Sequence, residues 1–101
     1  MNTQELLTKT PRELVEERCK LVEVYSQKAE RKIELKVGFA KWWRDNRKDF
    51  KSDASATREF ELTDEGLALM KIREAMKAIT FQISAIKQLV EEKGFEATNQ
   101  Y

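Results

Sequence analysis

The sequence predicts an all-α protein, and two observations lead to this class. Among 101 residues there are only three glycines and one proline, while 37% of the residues are charged. Such a composition, with a remainder rich in Glu, Lys, Ala and Leu, is typical of long helices and coiled coils. The second observation is a sustained helical spacing of apolar residues in the second half of the chain. We therefore expect a long antiparallel helical hairpin in one small domain covering residues 10–94.

The predicted first helix covers residues 11–48, with its end expected at about Asn46 or Phe50, and begins at a clear N-terminal signal. Thr10 can cap the helix, Pro11 suits the first helical position, and Glu13 completes a capping box with Thr10. Residues 1–9, which precede this signal, are predicted to form a flexible lead-in, with docking of Leu6 and Leu7 on the body as the alternative.

Apolar and small residues follow a 4,3 spacing along the first helix and predict its packing face. A neighbouring row that includes Leu14 and Leu21 widens the stripe, so the helix is expected to face more than one partner. Gly38 is expected to mark a kink or a close crossing. Cys19 is expected to be a small core residue. The spacing runs through Val15, Cys19, Val22, Ser26, Ala29, Ile33, Lys36, Ala40 and Trp43.

Residues 49–63 are predicted to connect the two helices. We expect the chain to reverse in the most polar part of this segment, residues 51–57, or in the following dozen residues. Phe60 and Leu62 alternate with acidic residues, which fits either a short extended piece or a helical turn. The rival arrangement has three helices, with Ser52 or Asp53 capping a short middle one.

The predicted second helix covers residues 64–93. Thr63 is its expected cap, acidic residues occupy its first turn, and Gly94 is the expected stop before a polar tail, residues 95–101. Its apolar seam is spaced 3,4,3,4,3,4 and is the clearest pattern in the chain. The seam consists of Leu69, Ile72, Met76, Ile79, Ile83, Ile86 and Val90.

This seam and its flanks predict self-association. A two-helix hairpin of this size has little interior in which to bury so many apolar side chains. The leading expectation is therefore a homo-oligomer, with a homodimeric four-helix bundle or coiled coil favoured. The apolar surface expected to be left for a second copy includes Leu14, Leu21, Phe81 and Leu89.

The most distinctive local stretch is residues 41–51, which contain five basic residues, two acids and three aromatics. Three interpretations stay open: aromatic rings that close the end of the bundle, a nucleic-acid contact, or a protein-binding hot spot. The candidate partner or nucleic-acid surface consists of Lys41, Trp42, Arg44, Arg47, Lys48 and Lys51.

The composition argues against an enzyme. There is no His, which removes the commonest general acid–base residue and the commonest metal ligand. The single Cys excludes an intramolecular disulfide and a Cys-rich zinc site. No phosphate-binding or dinucleotide-binding motif is present. We expect no catalytic residue, no metal site and no cofactor.

The hydropathy pattern predicts a protein without a membrane partner. No run of about 18 apolar residues occurs, and residues 1–5 lack the order of basic and then apolar residues that marks a signal peptide. A cytoplasmic location is therefore expected.

Part of the chain resembles small helical proteins encoded by bacteriophages. The resemblance is carried by Arg58, by Thr63-x-x-Gly66, by Lys77-Ala78 with Ile83-Ser84-Ala85-Ile86-Lys87, and by residues 96–101. It covers about residues 41–101. The resemblance implies a non-enzymatic phage accessory protein in the host cytoplasm, encoded among functions of DNA replication or recombination.

The functional expectation is a helical module that binds a host or phage protein in DNA metabolism or defence. The absence of visible site chemistry and the mixed surface charge favour this reading. The alternative is a nucleic-acid-binding protein that uses the basic and aromatic stretch, residues 41–51.

Overall fold

The fold is all-α, as predicted, and is a helical hairpin. The computed structural model describes the backbone of residues 3–99 and the side chains of residues 4–93. Within that range it contains α-helices and one short 3₁₀ turn, Arg47–Asp49, and no strand. The helices are α1 (Thr3–Thr8), α2 (Pro11–Asn46), α3 (Asp53–Glu61) and α4 (Asp64–Asn99).

The chain divides into two compact units. Unit 1 combines the chain up to Ser26 with the chain from Lys77 onward, and unit 2 is Gln27–Met76. Each unit contains one part of α2 and one part of α4, running in opposite directions.

The core of unit 1 brings together α1, the start of α2 and the later part of α4. Leu6 of α1 packs in one cluster with Leu14 and Ile86, which are 0% and 1% exposed. Leu21, Leu89 and Val90 are half-buried against this cluster. Leu14 is therefore a core residue of the single chain and does not belong to the surface predicted for a second copy. Phe81, by contrast, is 75% exposed.

Helix α1 replaces the flexible lead-in that the sequence predicts. Its Leu6 side chain is buried in the core of unit 1. The Lys93 ammonium group donates hydrogen bonds to the carbonyl oxygens of Leu7, at 3.2 Å, and of Lys9. A cation at the carbonyl end of a helix satisfies groups that have no partner within the helix. Apolar burial and these hydrogen bonds together hold α1 in place.

The core of unit 2 forms where α2, α3 and α4 meet. Leu35 of α2, Phe60 of α3 and Leu69 of α4 make one buried cluster. Partly buried side chains pack around it: Phe39, Trp42, Ala68 and Ile72.

The predicted capping box at the start of α2 is confirmed. The Glu13 amide donates to Thr10 Oγ1 at 3.2 Å, and the Thr10 amide donates to Glu13 Oε1 at 3.2 Å. Two hydrogen bonds with Thr10 lower the pKa of Glu13 below its ordinary value. The bond from the Thr10 backbone has the larger effect, and the bond with the Thr10 side chain has the second largest.

The segment between the long helices contains a helix, as in the rival three-helix arrangement. Ser52 caps α3: its hydroxyl accepts from the Ser55 amide at 3.1 Å, and the Ser52 amide donates to Ser55 Oγ at 3.3 Å. Phe60 lies in this helix and is buried, whereas Leu62 follows its end and is exposed.

The turn from α3 into α4 uses the predicted cap. Thr63 Oγ1 accepts from the Gly66 amide at 3.1 Å and donates to the Phe60 carbonyl oxygen at 2.6 Å. One hydroxyl thus joins the end of one helix to the first turn of the next.

The predicted packing face of α2 is wrong. Val15, Val22 and Ile33 are exposed large apolar residues, and Cys19 is exposed instead of lying in the core. The less exposed face is the neighbouring row, whose positions are spaced 4,3 along the helix. It comprises Leu14, Arg18, Leu21, Lys28, Lys32, Leu35, Phe39, Trp42 and Asn46, all buried or half-buried.

Helix α2 ends where predicted, and helix α4 runs beyond its predicted end. Helix α2 ends at Asn46, one of its two predicted ends, and gives way to the 3₁₀ turn. Helix α4 continues through the expected stop at Gly94 as far as Asn99. The last part of the predicted tail, residues 100 and 101, lies outside the described residues.

Candidate interaction surface

The aromatic residues of the stretch 41–51 close one end of unit 2. The ring of Trp42 lies 5.4 Å from that of Phe60 and 5.8 Å from that of Phe50, measured between centroids. Phe39 lies 4.5 Å from Phe60 and 5.5 Å from Trp43. These separations are those of favourable aromatic pairs. Trp42 therefore packs inside the fold, which is the first of the three interpretations of this stretch.

Arg47 is part of the same closed end. Its guanidinium donates to the Asp53 carboxylate at 2.6 Å and to the Phe50 carbonyl oxygen at 2.9 Å. It also lies 5.8 Å from the centroid of the Trp43 ring, within the range of a cation–π contact. These contacts tie the end of α2 to the start of α3, so Arg47 stabilises the turn.

The remaining cations of the predicted surface point to solvent. Lys41, Arg44, Lys48 and Lys51 are all exposed. The Arg44 guanidinium lies 3.3 Å from the carboxylate of its neighbour Asp45. The structure therefore separates the six predicted site residues into two structural ones, Trp42 and Arg47, and four exposed cations.

The seam of α4 faces inward. Leu69 and Ile86 belong to the clusters of unit 2 and unit 1. Since these contacts lie within one chain, the buried seam residues do not face a second copy, whereas Phe81 of the predicted oligomer surface is exposed. The buried seam residues are Leu69, Met76, Ile79 and Ile86, and the half-buried ones are Ile72, Ile83 and Val90.

A second apolar row lies on α2 in unit 2, away from its core. Ile33 is 63% exposed, Val37 is 49% exposed, and Ala40 is also exposed. Each residue turns the helix by about 100°. Ile33, Ala40 and the charged residues beside them therefore lie within about 60° of Val37 around the helix axis. We call this the outer face of α2, defined by Glu30, Ile33, Glu34, Val37, Ala40, Lys41 and Arg44.

The 4,3 spacing along the first helix includes Ile33 and Ala40. It predicts that both residues pack within the bundle, whereas the structure leaves them exposed. Exposure of these residues could have been inferred from the larger side chains of the neighbouring row. Large apolar residues at intervals of seven, such as Leu14, Leu21 and Leu35, compete better for the core.

Two small depressions adjoin Phe39 and Thr57 in unit 2. One has a volume of about 150 Å³ and reaches Phe60 and Met70. The other, of about 420 Å³, lies between α2 and α3 and reaches Ala40 and Trp43. Both are lined mainly by apolar side chains.

No group of three or more Cys, Asp or Glu side chains in the described residues is arranged to hold a metal ion. Within the described range, no helix combines the length and hydropathy needed to cross a membrane. Comparison with known proteins finds no matching family model, no similar curated protein and no similar solved structure.

Proposed function

We propose that this chain is a non-enzymatic helical module that binds another protein through the outer face of α2. The observation that carries the proposal is the exposure of Ile33 and Val37 on a helix whose other face already packs into the core. Exposed apolar side chains grouped on one face and bordered by charges are typical of protein-interaction surfaces.

The charged border supports the same function. Glu30 and Glu34 precede Val37, and Lys41 and Arg44 follow it. A surface with both signs of charge can orient a protein partner of complementary charge. A phosphate backbone, by contrast, would be repelled by the two carboxylates.

A photo-cross-linking probe tests the proposal directly. A benzophenone amino acid at Val37 is expected to form covalent protein adducts in living cells, because a partner would cover that position. The matched control is the same probe at Lys71, which is exposed on α4 in the same unit. The proposal fails if Val37 forms no adduct, or only those that Lys71 also forms.

The setting of this function is also part of the proposal. The resemblance to phage-encoded helical proteins suggests a partner in DNA metabolism or defence, in the cytoplasm of a bacterial host. If the adduct at Val37 contains a protein other than this chain, its identification by mass spectrometry tests this setting, since such a protein from another class would contradict it.

The second candidate is nucleic-acid binding, favoured by the exposure of four cations within eleven residues. Each phosphate contact would make log affinity fall with log salt by a slope of about −0.7 to −0.9. The test is a titration of single- and double-stranded oligonucleotides at two salt concentrations. Alanine variants of Lys41, Arg44, Lys48 and Lys51 should abolish binding if this candidate is correct. Arg47 must stay in place because it holds the turn.

A further inference from the structure

We infer that the outer face of α2 binds the same face of a second copy of this chain, with the two helices antiparallel. The inference rests on the proposed function and names its partner. What leads to it is the order of charges along the face. Acidic residues lie before Val37 and basic residues lie after it, at equal distances for Glu30 and Arg44 and within one residue of equal for Glu34 and Lys41.

The charges are placed symmetrically about Val37. Glu30 is seven residues before it and Arg44 is seven residues after it. At 1.5 Å per residue, both lie about 10 Å from Val37 along the helix axis. A two-fold axis beside Val37 therefore brings Glu30 of each copy opposite Arg44 of the other.

The flanks of the face are complementary in the same register. Glu34 and Lys41 lie on the same side of Val37 around the helix. In the antiparallel dimer, Glu34 of each copy therefore faces Lys41 of the other copy. On the opposite side, the long side chain of Ile33 faces the small side chain of Ala40. Large against small residues allow close packing of two helices. The contact is isologous, as a closed two-fold dimer requires.

A parallel arrangement lacks this complementarity. In register, it would place Glu30 beside Glu30 and Arg44 beside Arg44 of the second copy. Like charges directly opposite one another repel. The charge order thus selects the antiparallel pairing.

The groups needed for these pairs are accessible. Glu30 and Lys41 are exposed and form no ion pair within the described part of the chain. Glu34 accepts from Arg31 at 2.8 Å, and Arg44 lies beside Asp45. Both of these pairs are solvent-exposed and contribute little, so they do not prevent contact with a second copy.

Charge reversal tests the pairing by analytical ultracentrifugation of the full chain. The variant Glu30→Lys/Glu34→Lys should self-associate about tenfold to a hundredfold more weakly, and so should Lys41→Glu/Arg44→Glu. An equimolar mixture of these two variants should associate again. Circular dichroism must show that each variant keeps its helix content.

A fourfold variant provides the matched control for orientation. Reversing all four residues leaves the net charge unchanged and restores opposite signs in the antiparallel pairs. This variant should form dimers by itself but should not form mixed dimers with the native chain.

Engineered disulfides give an independent readout of register. In a Cys19→Ser background, Ile33→Cys and Ala40→Cys chains should cross-link when mixed and oxidised with diamide, which accepts the two electrons and two protons released. Neither chain should cross-link efficiently by itself, whereas a parallel dimer would join each to its own kind.

The outcomes separate this inference from the proposed function. A native chain that stays monomeric over the whole concentration series overturns the self-pairing, and so does a dimer that is insensitive to charge reversal. If the Val37 probe then captures a different protein, the proposed function stands without the second copy. If it captures none, both fail.

Discussion

The carbonyl oxygen of Phe60 lies 2.1 Å from the position that a Cβ atom on Gly66 would occupy. The Cα atom of Glu61 is 2.8 Å from the same point. Backbone therefore fills the space where any other residue would carry its side chain. The Thr63 hydroxyl, bonded to both Phe60 and Gly66, keeps the two helices this close. Position 66 therefore requires glycine, because the backbone of Phe60 and Glu61 leaves no room for a Cβ atom.

Replacing Gly66 with Ala should destabilise the fold by about 1 to 3 kcal/mol or more, because the added methyl group forces the α3–α4 turn apart. Gly38→Ala is the matched control. Its Cβ would meet only the flexible Glu65 side chain, at 3.2 Å, so the better helix propensity of Ala should stabilise by up to about 1 kcal/mol. Urea unfolding of both variants measures the difference. Equal effects at the two glycines would show that the turn is looser than described.

Substitutions on α2 should reveal which face of this helix packs in the core. Leu14→Ala should cost about 2 to 5 kcal/mol, because Leu14 is fully buried and its removal leaves a cavity. Val22→Ala, at an exposed position on the predicted packing face, should change the free energy of unfolding by less than about 0.5 kcal/mol. Chemical denaturation of both variants checks the pair. A larger effect at Val22 would reverse the assignment of the faces.

The starts of α2 and α4 could be predicted because the signals there are local. Thr10 with Glu13 and Thr63 with Gly66 form hydrogen bonds within one turn, so residue type and spacing suffice to recognise them. The apolar seam of α4 was recognisable for a similar reason, since its spacing is continuous and contains no charged residue.

For the packing face of α2 the signals conflict, although the large apolar residues Leu14, Leu21 and Leu35 favour the row that lies inward. Its inward row carries Arg18, Lys28 and Lys32, which are half-buried. Long charged side chains can cover apolar surface with their stems and keep the charge in water. When positions are classified by residue type alone, these three positions are polar. The competing row through Val15 and Ile33 contains fewer charges and therefore looked more like a core.

The candidate surface depended on tertiary contacts as well. The sequence grouped Trp42 and Arg47 with the exposed cations because all lie within eleven residues. Their inward placement is decided by Phe60 and Asp53 of α3, a helix that the leading prediction lacked. The acidic half of the outer face, Glu30 and Glu34, lies outside residues 41–51, so the basic and aromatic pattern of that stretch does not indicate it.

Removing the Arg47 guanidinium should weaken the turn between α2 and α3. We expect Arg47→Met to cost about 1 kcal/mol, because the charge-assisted hydrogen bonds to Asp53 and to the Phe50 carbonyl are lost. Lys48→Met, at the next and exposed position, is the control and should have no measurable effect. Thermal unfolding monitored by circular dichroism compares them. Identical melting temperatures would exclude a structural role for Arg47.

The capping box predicts a pH dependence in the acid range. Hydrogen bonds from Thr10 lower the pKa of Glu13 from its ordinary value of 4.5. A carboxylate whose pKa is lower in the folded state contributes stability above its unfolded pKa and loses it as the pH falls through the folded pKa. Native protein should therefore lose more stability below about pH 4.5 than Glu13→Gln, which keeps a capping side chain without the charge. Parallel melting curves at every pH would contradict this.

Lys93 should control how firmly α1 is attached to unit 1. Its ammonium group donates to the carbonyl oxygens of Leu7 and Lys9 at the end of α1, while Leu6 supplies the apolar contact. A helix of six residues has little stability alone, so its persistence depends on these contacts. We expect Lys93→Met to accelerate amide hydrogen exchange in α1 about tenfold, which corresponds to about 1.4 kcal/mol of local opening. Exchange in α3, which belongs to unit 2, should stay unchanged, and so should exchange in a Lys87→Met control, since Lys87 is exposed on α4. If α1 exchanges at the same rate in the Lys93 variant and in the native chain, Leu6 alone holds the helix and the hydrogen bonds of Lys93 contribute nothing to its attachment.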